Sequence, residues 1–524
     1  MNLDLLLDET TAGALDAAWL LRAIAPCGEY GRRAAELDGA PDARAIAADA
    51  ATFDAATLDA LQDALRRAPD VAPALARAGV GDALDDAAFL ELLRFCDAWL
   101  RARATLTRHD RELGTAAAAA ACISLVSLLA HGRAGTYGFY LDERFDPILG
   151  AARARAQRAQ AEFDAARGRS TQGIAQALGR DEIGEYEFIL MRADAPSPLP
   201  EGLRVVREAP TYLLCECELD ERALAALARR DEADAALAQV ERDVREALSA
   251  RVRERMAGLE DAAAAFGALD AHVAKVRFAQ TYACVAAEEA AAGISFEDAR
   301  YLPLLDQLAH EGRAYAPISL DLPGVAILTG PNMGGKSIAL RTCGFLALCV
   351  ALGLPVPAKR ARIERFERIS WLGIAPESES GGLLSSFARE VVRLRAILER
   401  PHERTVVLVD EFARTTTPQE GRALLIALVA RLRERDATAL IATHLAGIAQ
   451  ASGATHYAIR GLRGVPARPA GGDLSAALAA LAGAMDYTLA EVTADSPPQA
   501  DALALARLLG LDEALVAAAY AALG

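Results

Sequence analysis

Lysine is almost missing from this chain: Lys275, Lys336 and Lys359 are the only three in 524 residues. Arginine has displaced it. Aromatic residues are also few, at 5%, while alanine is abundant, and that balance favours helix over sheet. There is no basic excess. The formal net charge is −16, so the body repels phosphate backbones, which excludes broad coating of nucleic acid but leaves room for one focused site. No Cys-x-x-Cys pair occurs among the eight cysteines. Only Cys215 and Cys217 lie close together, and two readings remain: a metal-binding or oxidisable pair on one face of a strand, or reduced buried thiols. The start, MNLDLLLDET, has no basic stretch before an apolar core, which excludes a signal peptide. Long bilayer-type runs are missing as well. The stretch 116–130 is short for a membrane and 338–354 carries Arg341, so both read as buried helices of a cytoplasmic protein with no membrane partner.

What is present is ample apolar material, 53%, in a chain long enough for two to four domains. Residues 1–110 show apolar spacings of three and four and read as an N-terminal helical core. Residues 111–290 read as a helical lever or arm, with long charged runs past Pro147 and over 220–266. Interspersed acids and bases over such lengths suggest a solvated, coiled-coil-like arm, against the alternative of an ordinary helix pair on a core. Between these runs, about 171–219 alternates and carries turn residues, a small β insertion at the arm's end. Residues 291–524 alternate strand with helix: VAILTG (325–330), TVVLVDE (405–411) and TALIATH (438–444) are strands, and the run after Lys336 is a helix. The fold class is therefore mixed: a helical core and lever with a long helical arm and a small β tip, then a P-loop α/β domain with a mostly parallel sheet.

The octet Gly330-Pro331-Asn332-Met333-Gly334-Gly335-Lys336-Ser337 fits GxxxxGK[ST] between an apolar strand and a helix. Glycines let backbone N–H groups curl around phosphate oxygens, and the helix N-terminus favours the negative charge. Lys336 would reach the β- and γ-phosphates of ATP, and Ser337 would ligate Mg²⁺. Asp410 ends the 405–411 strand and is placed to hold the metal through water. Glu411 follows it and is placed to orient the attacking water. An acidic strand end is common in α/β folds, but one about 70 residues after a P-loop points to function. His444 ends the next strand at the carboxyl edge of the sheet, where ligands bind; a surface or packing histidine is the bland alternative.

TGPNMGGKS, SSFAREV (385–391), DEFARTTTPQEG (410–421) and ATH (442–444) together resemble the ATPase domain of the MutS family of DNA mismatch repair proteins. The similarity extends to ISFEDARYLPLLDQL (294–308), MDYTLAEVTADSPPQADALALARLLGL (485–511) and, more weakly, APCGEYGRRAAEL (25–37) and the 220–290 helical run. It implies an ABC-like ATPase domain in which Lys336, Ser337, Asp410 and Glu411 keep the roles above, His444 is a switch histidine and Asn332 the P-loop asparagine. It also implies that Ser385, Ser386 and Phe387 reach a partner subunit's nucleotide, so that a homodimer would carry two composite sites. A helix N-cap is the local alternative for Ser385-Ser386. Ser380-Gly381-Gly382 is a weaker candidate for meeting the opposing γ-phosphate.

The chain departs from the family where DEFARTTTP stands for DEIGRGTST, with Ala413 and Thr415 at glycine positions, Pro418 entering, Ser386 for threonine, and PESES before it. These changes touch the interface more than the hydrolytic centre. The first hundred residues show no mismatch-reading Phe-x-Glu wedge, and no nuclease-like extension follows the ATPase region; a short family form is the expectation. The candidate clamp tip holds Arg180, Arg192, Arg204 and Arg207 against at least as many acids, which is no strong phosphate-binding patch. The resemblance thus implies an ATP-driven dimeric clamp on mismatched or branched DNA. Its alternative is a MutS-related ATPase that remodels a protein partner, such as an adenosylcobalamin-dependent aminomutase needing reactivation. A third possibility is a dimer that binds ATP without turnover.

Overall fold

The computed structural model describes residues 3–37, 42–135, 138–184, 187–331, 335–373, 386–399, 404–463, 483–492, 503, 506–507 and 510–523. The chain packs into two compact units, one joining 1–62 to 267–524 and the other formed by 63–266. The 1–110 helical segment is thereby divided: its first part belongs with the sheet.

The 63–266 unit contains the arm. Asp146 accepts from the Ile148 amide and Pro147 opens the helix Pro147–Ala177; Asp220 accepts from the Ala223 amide and opens Glu221–Arg253. At 31 residues the first helix is about 46 Å long, and it continues past the start expected for the β insertion. The two helices run antiparallel along a seam of small side chains, Ala156 and Ala159 against Ala233, then Phe163 and Ala166 against Ala223 and Ala226. Arg153–Glu241 at 3.3 Å and Arg155–Glu232 at 2.9 Å bridge the seam from its solvated sides. The exposed Arg155–Glu232 pair fixes register more than it stabilises, at about 0–1 kcal/mol, while Arg153–Glu241 is part-buried. The tip is a three-stranded antiparallel sheet with Tyr212–Cys217 between Glu187–Met191 and Leu203–Glu208. Cys215 is buried there and Cys217 half-buried, both unoxidised, and burial pushes both thiols up, away from the thiolate a metal would need.

The other unit is built on a six-stranded sheet: β1 Val325–Thr329, β2 Arg368–Leu372, β3 Thr405–Asp410, β4 Thr438–Ala442, β5 Thr455–Leu462 and β6 Met485–Glu491. Their order is β2-β3-β4-β1-β5-β6, parallel throughout except for β6. β1, β3 and β4 are continuous apolar runs because helices cover both faces. Three helices follow β1, β2 and β3: α1 Lys336–Ala351, α2 Ser386–Leu398 and α3 Pro418–Arg433. α1 is apolar on nearly every side, and its residues Leu340, Cys343, Phe345 and Leu346 are fully buried. This is the 338–354 run, and it lies in the core.

The N-terminal helices close that core. Leu6, Leu7, Leu15 and Leu20 share one cluster with α1, with Leu408 of β3 and with Leu440 of β4. Leu15 and Leu408 converge on Gly344, where an added Cβ would stand 2.5 and 2.6 Å from their methyl carbons. A side chain at that point of α1 would force one of these buried leucines to shift. Among the described residues no helix is long and apolar enough to cross a membrane.

Candidate functional site

β1, β4 and β3 lie side by side, so their carboxyl ends open on one edge of the sheet. That edge is where open α/β sheets bind ligands. The crossover from β1 into α1 holds Gly330 at φ +147° and Gly335 at φ +90°, and Gly335 is the N-cap of α1. A Cβ on Gly330 would meet Ile459 of β5 at 3.1 Å, and one on Gly335 would meet the Tyr487 ring of β6 at 3.1 Å. The loop is thus pressed against its neighbouring strands at both glycines, and the first turn of α1 presents its free amides there.

Lys336 is buried, and its Nζ donates to the carbonyls of Gly330 at 2.8 Å and Pro331 at 3.4 Å. Its ammonium also lies 3.7 Å from Glu411 Oε1. Burial pulls the lysine below its ordinary value, against the opposing pull of Glu411 and Asp410. The Ser337 hydroxyl, one residue on, hydrogen-bonds the Asp410 carboxylate. Burial raises Asp410, and the nearby Glu411 adds to this; Ser337, Arg341 and Lys336 pull the other way without cancelling it.

Glu411 leaves the sheet at once. Its amide donates to the Ala442 carbonyl of β4 at 3.0 Å, and its φ of +53° is left-handed. The turn that follows also has Ala413 at φ +63°. Two non-glycine residues in that region within three positions mark a strained segment held by its surroundings. One such restraint is Glu390 of α2, which accepts the Ala413 amide at 2.9 Å. Arg414 Nη1 lies 3.6 Å from Glu411 Oε2, so the carboxylate stands between two cations.

The structure therefore brings together Gly330, Gly335, Lys336, Ser337, Asp410 and Glu411. His444 follows β4, is exposed, and has no hydrogen-bond partner among the described residues. Asn332, Met333, Gly334, Ser385 and the 380–382 stretch lie outside the described residues, as does the side chain of Ser386. Three contacts escape motif reading. His456 Nε2 meets Thr329 Oγ1 at 2.8 Å, and burial lowers that histidine. Glu390 and Arg414 are the other two; they lie within the 385–391 and 410–421 motifs, but the motifs alone gave neither of them a role.

A hydroxyl and a carboxylate already paired are a fitting donor set for Mg²⁺, which takes oxygen ligands and keeps several waters. The lysine is turned onto its own loop carbonyls, those of Gly330 and Pro331.

The family described as MutS domain V matches residues 326–462, which run from β1 to the end of β5 and hold every described residue of the site. Residues 326–462 thus belong to the MutS domain V family. The chain's matched relatives include Endonuclease MutS2 of Clostridium botulinum (strain Loch Maree / Type A3), 31% identical over 211 residues, which is 40% of this chain and 26% of that protein. Endonuclease MutS2 of Listeria monocytogenes serovar 1/2a is 33% identical over 185 residues, 34% of this chain and 22% of the relative. That of Halothermothrix orenii is 36% identical over 122 residues, 23% and 15% respectively. The likeness thus spans about a quarter or less of those relatives' length. The matched residues 326–462 fall on the unit formed by 1–62 and 267–524.

Proposed function

We propose that this protein binds and hydrolyses MgATP and uses the cycle to act on DNA as a MutS-type dimer. The observation that carries the reading is the convergence of Lys336, Ser337, Asp410 and Glu411 at the carboxyl ends of β1 and β3. The loop amides and Lys336 cradle the β- and γ-phosphates, Lys336 exchanging its carbonyl partners for phosphate oxygens. Ser337 and Asp410 hold Mg²⁺. The metal, when bound, neutralises charge developing on the transferred phosphoryl group. Glu411 orients the attacking water and accepts its proton. As bound phosphate draws Lys336 away, that carboxylate loses one of its two cationic neighbours and becomes a better acceptor. Ser385 and Ser386 are proposed to reach the nucleotide of the second subunit in a homodimer, and His444 to report the γ-phosphate across the edge of β4.

The test is Glu411→Gln. Phosphate release should fall at least about 100-fold, while binding of a fluorescent ATP analogue stays within a few-fold of the parent. If the parent releases no more phosphate than the variant, the protein is a static ATP-binding dimer. DNA action is tested by titrating labelled mismatched and branched duplexes at low salt with and without ATP; absence of binding in both removes it.

A second reading has its own support. The net charge is −16, and two of the four tip arginines are already paired: Arg192 bonds Glu208 at 2.7 Å, and Arg204 bonds Glu216. Such a surface suits a protein partner, for instance an adenosylcobalamin-dependent aminomutase reactivated by exchange of damaged cofactor. Failure of the purified protein to restore an inactivated mutase with ATP and fresh cofactor would remove this reading.

A further inference from the structure

A phosphate backbone approaching a chain of net charge −16 needs a place where positive charge outweighs negative. The tip of the arm is not that place, because its four arginines, Arg180, Arg192, Arg204 and Arg207, stand among at least as many acids, and two of them are paired with Glu208 and Glu216 of the same small sheet. The 63–266 unit holds a different feature, an open groove of about 820 Å³ lined by Arg67, Arg94, Arg101 and Arg133, with Asp97 the one acid among its described lining residues and Asp63 beside it paired with Arg67 at 2.8 Å. Arg94 and Arg101 are seven residues apart on the helix Asp86–Thr107, so they share one face about 10 Å apart along its axis. Arg108, at the helix end, continues the same heptad row. Arg67 comes from the end of a neighbouring helix and Arg133 from a short hairpin. Asp97 bonds Arg133 and accepts from Arg101 through its backbone carbonyl at 3.2 Å, which fixes the two guanidinium stems without neutralising both. The floor is aliphatic: Leu90, Leu93 and Leu100 lie beneath the charged rim.

Charges strung along a helix axis and joined from two flanks match a linear polyanion better than a compact one. A single phosphate group calls for donors converging on a point, whereas 10 Å of axis corresponds to about three phosphates of one strand. Arginine forks also bind phosphate oxygens in pairs. We propose that this groove is where the protein holds the backbone of DNA. The proposal rests on the DNA reading above and adds the site.

The test uses the full chain and a labelled 30-base-pair duplex, followed by fluorescence anisotropy between 50 and 200 mM salt. Arg94→Glu/Arg101→Glu should weaken binding at least tenfold at 50 mM salt and flatten the logarithmic salt dependence by about two. Arg158→Glu/Arg242→Glu, an equal charge change on exposed faces of the arm, should weaken it no more than about threefold. Arg94→Lys/Arg101→Lys should recover most of the affinity, since charge without the fork keeps the salt-dependent part. Phosphate release without DNA and the helical circular-dichroism signal should match the parent in every variant. If the parent binds DNA and the groove variant binds as well, or if the arm control falls equally, the groove assignment is overturned and the DNA reading stands. If the parent binds no duplex, the DNA reading itself falls. If polyglutamate displaces the duplex at equal charge concentration, the groove is a site for acidic protein instead. Should Arg94→Glu/Arg101→Glu fail to fold, Arg101→Ala/Arg133→Ala carries the same comparison.

Discussion

Asp410 ends β3 half-buried, with the Ser337 hydroxyl on one side and the Glu411 carboxylate on the other. Burial raises its pKa above the ordinary aspartate value of 3.8. Between the unfolded and folded pKa values the native chain therefore binds more protons than the unfolded one. Stability from this group consequently falls as pH rises through that window, and at neutral pH the charged form is a cost to the resting fold. The same charge is what a metal would recover. Asp410→Asn keeps an acceptor for Ser337 and removes the charge. Without metal or nucleotide its apparent melting temperature at pH 7.5 should exceed the parent's by about 1–3 °C. The stabilisation that MgATP gives the parent should disappear. A variant that melts below the parent, or that MgATP still stabilises, would show that Asp410 is a structural acid. Glu411 and Ala413 add to this picture of a local cost accepted at the site, since both hold left-handed backbone that the β4 carbonyl and Glu390 enforce.

At the scale of elements, one arginine ties three of them. Arg393 of α2 donates to the Trp371 carbonyl of β2, to Asp8 at 2.8 Å and to Thr11 Oγ1 at 3.1 Å. The same threonine oxygen accepts from the Trp371 amide at 3.0 Å. α2 begins at Ser386, the residue proposed to reach the partner's nucleotide, so the N-terminal segment braces the helix that carries it. Burial pushes Asp8 up, but Arg393 and the Thr11 amide together bring it below its ordinary value. Its contribution is thus fully present above the unfolded carboxylate pKa and is lost as pH falls through the lower folded one. Arg393→Met should cost about 1–3 kcal/mol at pH 7 and expose residues 3–14 to proteolysis. The stability gap to the parent should shrink below about pH 4. An unchanged gap at pH 3, or unchanged proteolysis at pH 7, would sink the brace. No part of this tie was legible in the sequence, because its ends lie 385 residues apart and neither carries a motif. The site itself was legible: strand, glycine turn and helix are consecutive, and Asp410 and Glu411 close a run whose apolar character announces a buried strand. The arm helices were legible through their long charged runs past Pro147 and over 220–266, while their Asp146 and Asp220 caps were seen only in the structure. The placement of the first twenty residues was not, since an amphipathic helix has the same periodicity whatever it packs on. Leu15 is fixed by Gly344, a vacancy in another helix that only the fold reveals.

For the molecule as a whole, the division into two units carries a mechanical consequence. Every described residue of the candidate site belongs to the unit formed by 1–62 and 267–524, while the arm and its tip belong to 63–266. The arm is an antiparallel pair whose seam is complete by Ala166 and Ala223. Beyond that point the last turns of Pro147–Ala177 carry the tip: Ile174 packs beneath Gly202, and Phe188, Leu190, Leu213 and Cys215 form a separate small core. A cluster with its own core, joined through one helix pair, can be removed without opening another core. Replacing 169–218 with a four-residue Gly/Ser turn should leave phosphate release without DNA within about twofold of the parent and the arm seam still helical. Binding of the 30-base-pair duplex should also persist if the arginine groove is the contact, because Arg67, Arg94, Arg101 and Arg133 all lie outside the excised stretch. If the tip were the DNA contact, binding would vanish with it while phosphate release survived. The shortened chain therefore separates the two placements of the polyanion with one titration, and a loss of both activities would instead show that the tip supports the fold of the other unit.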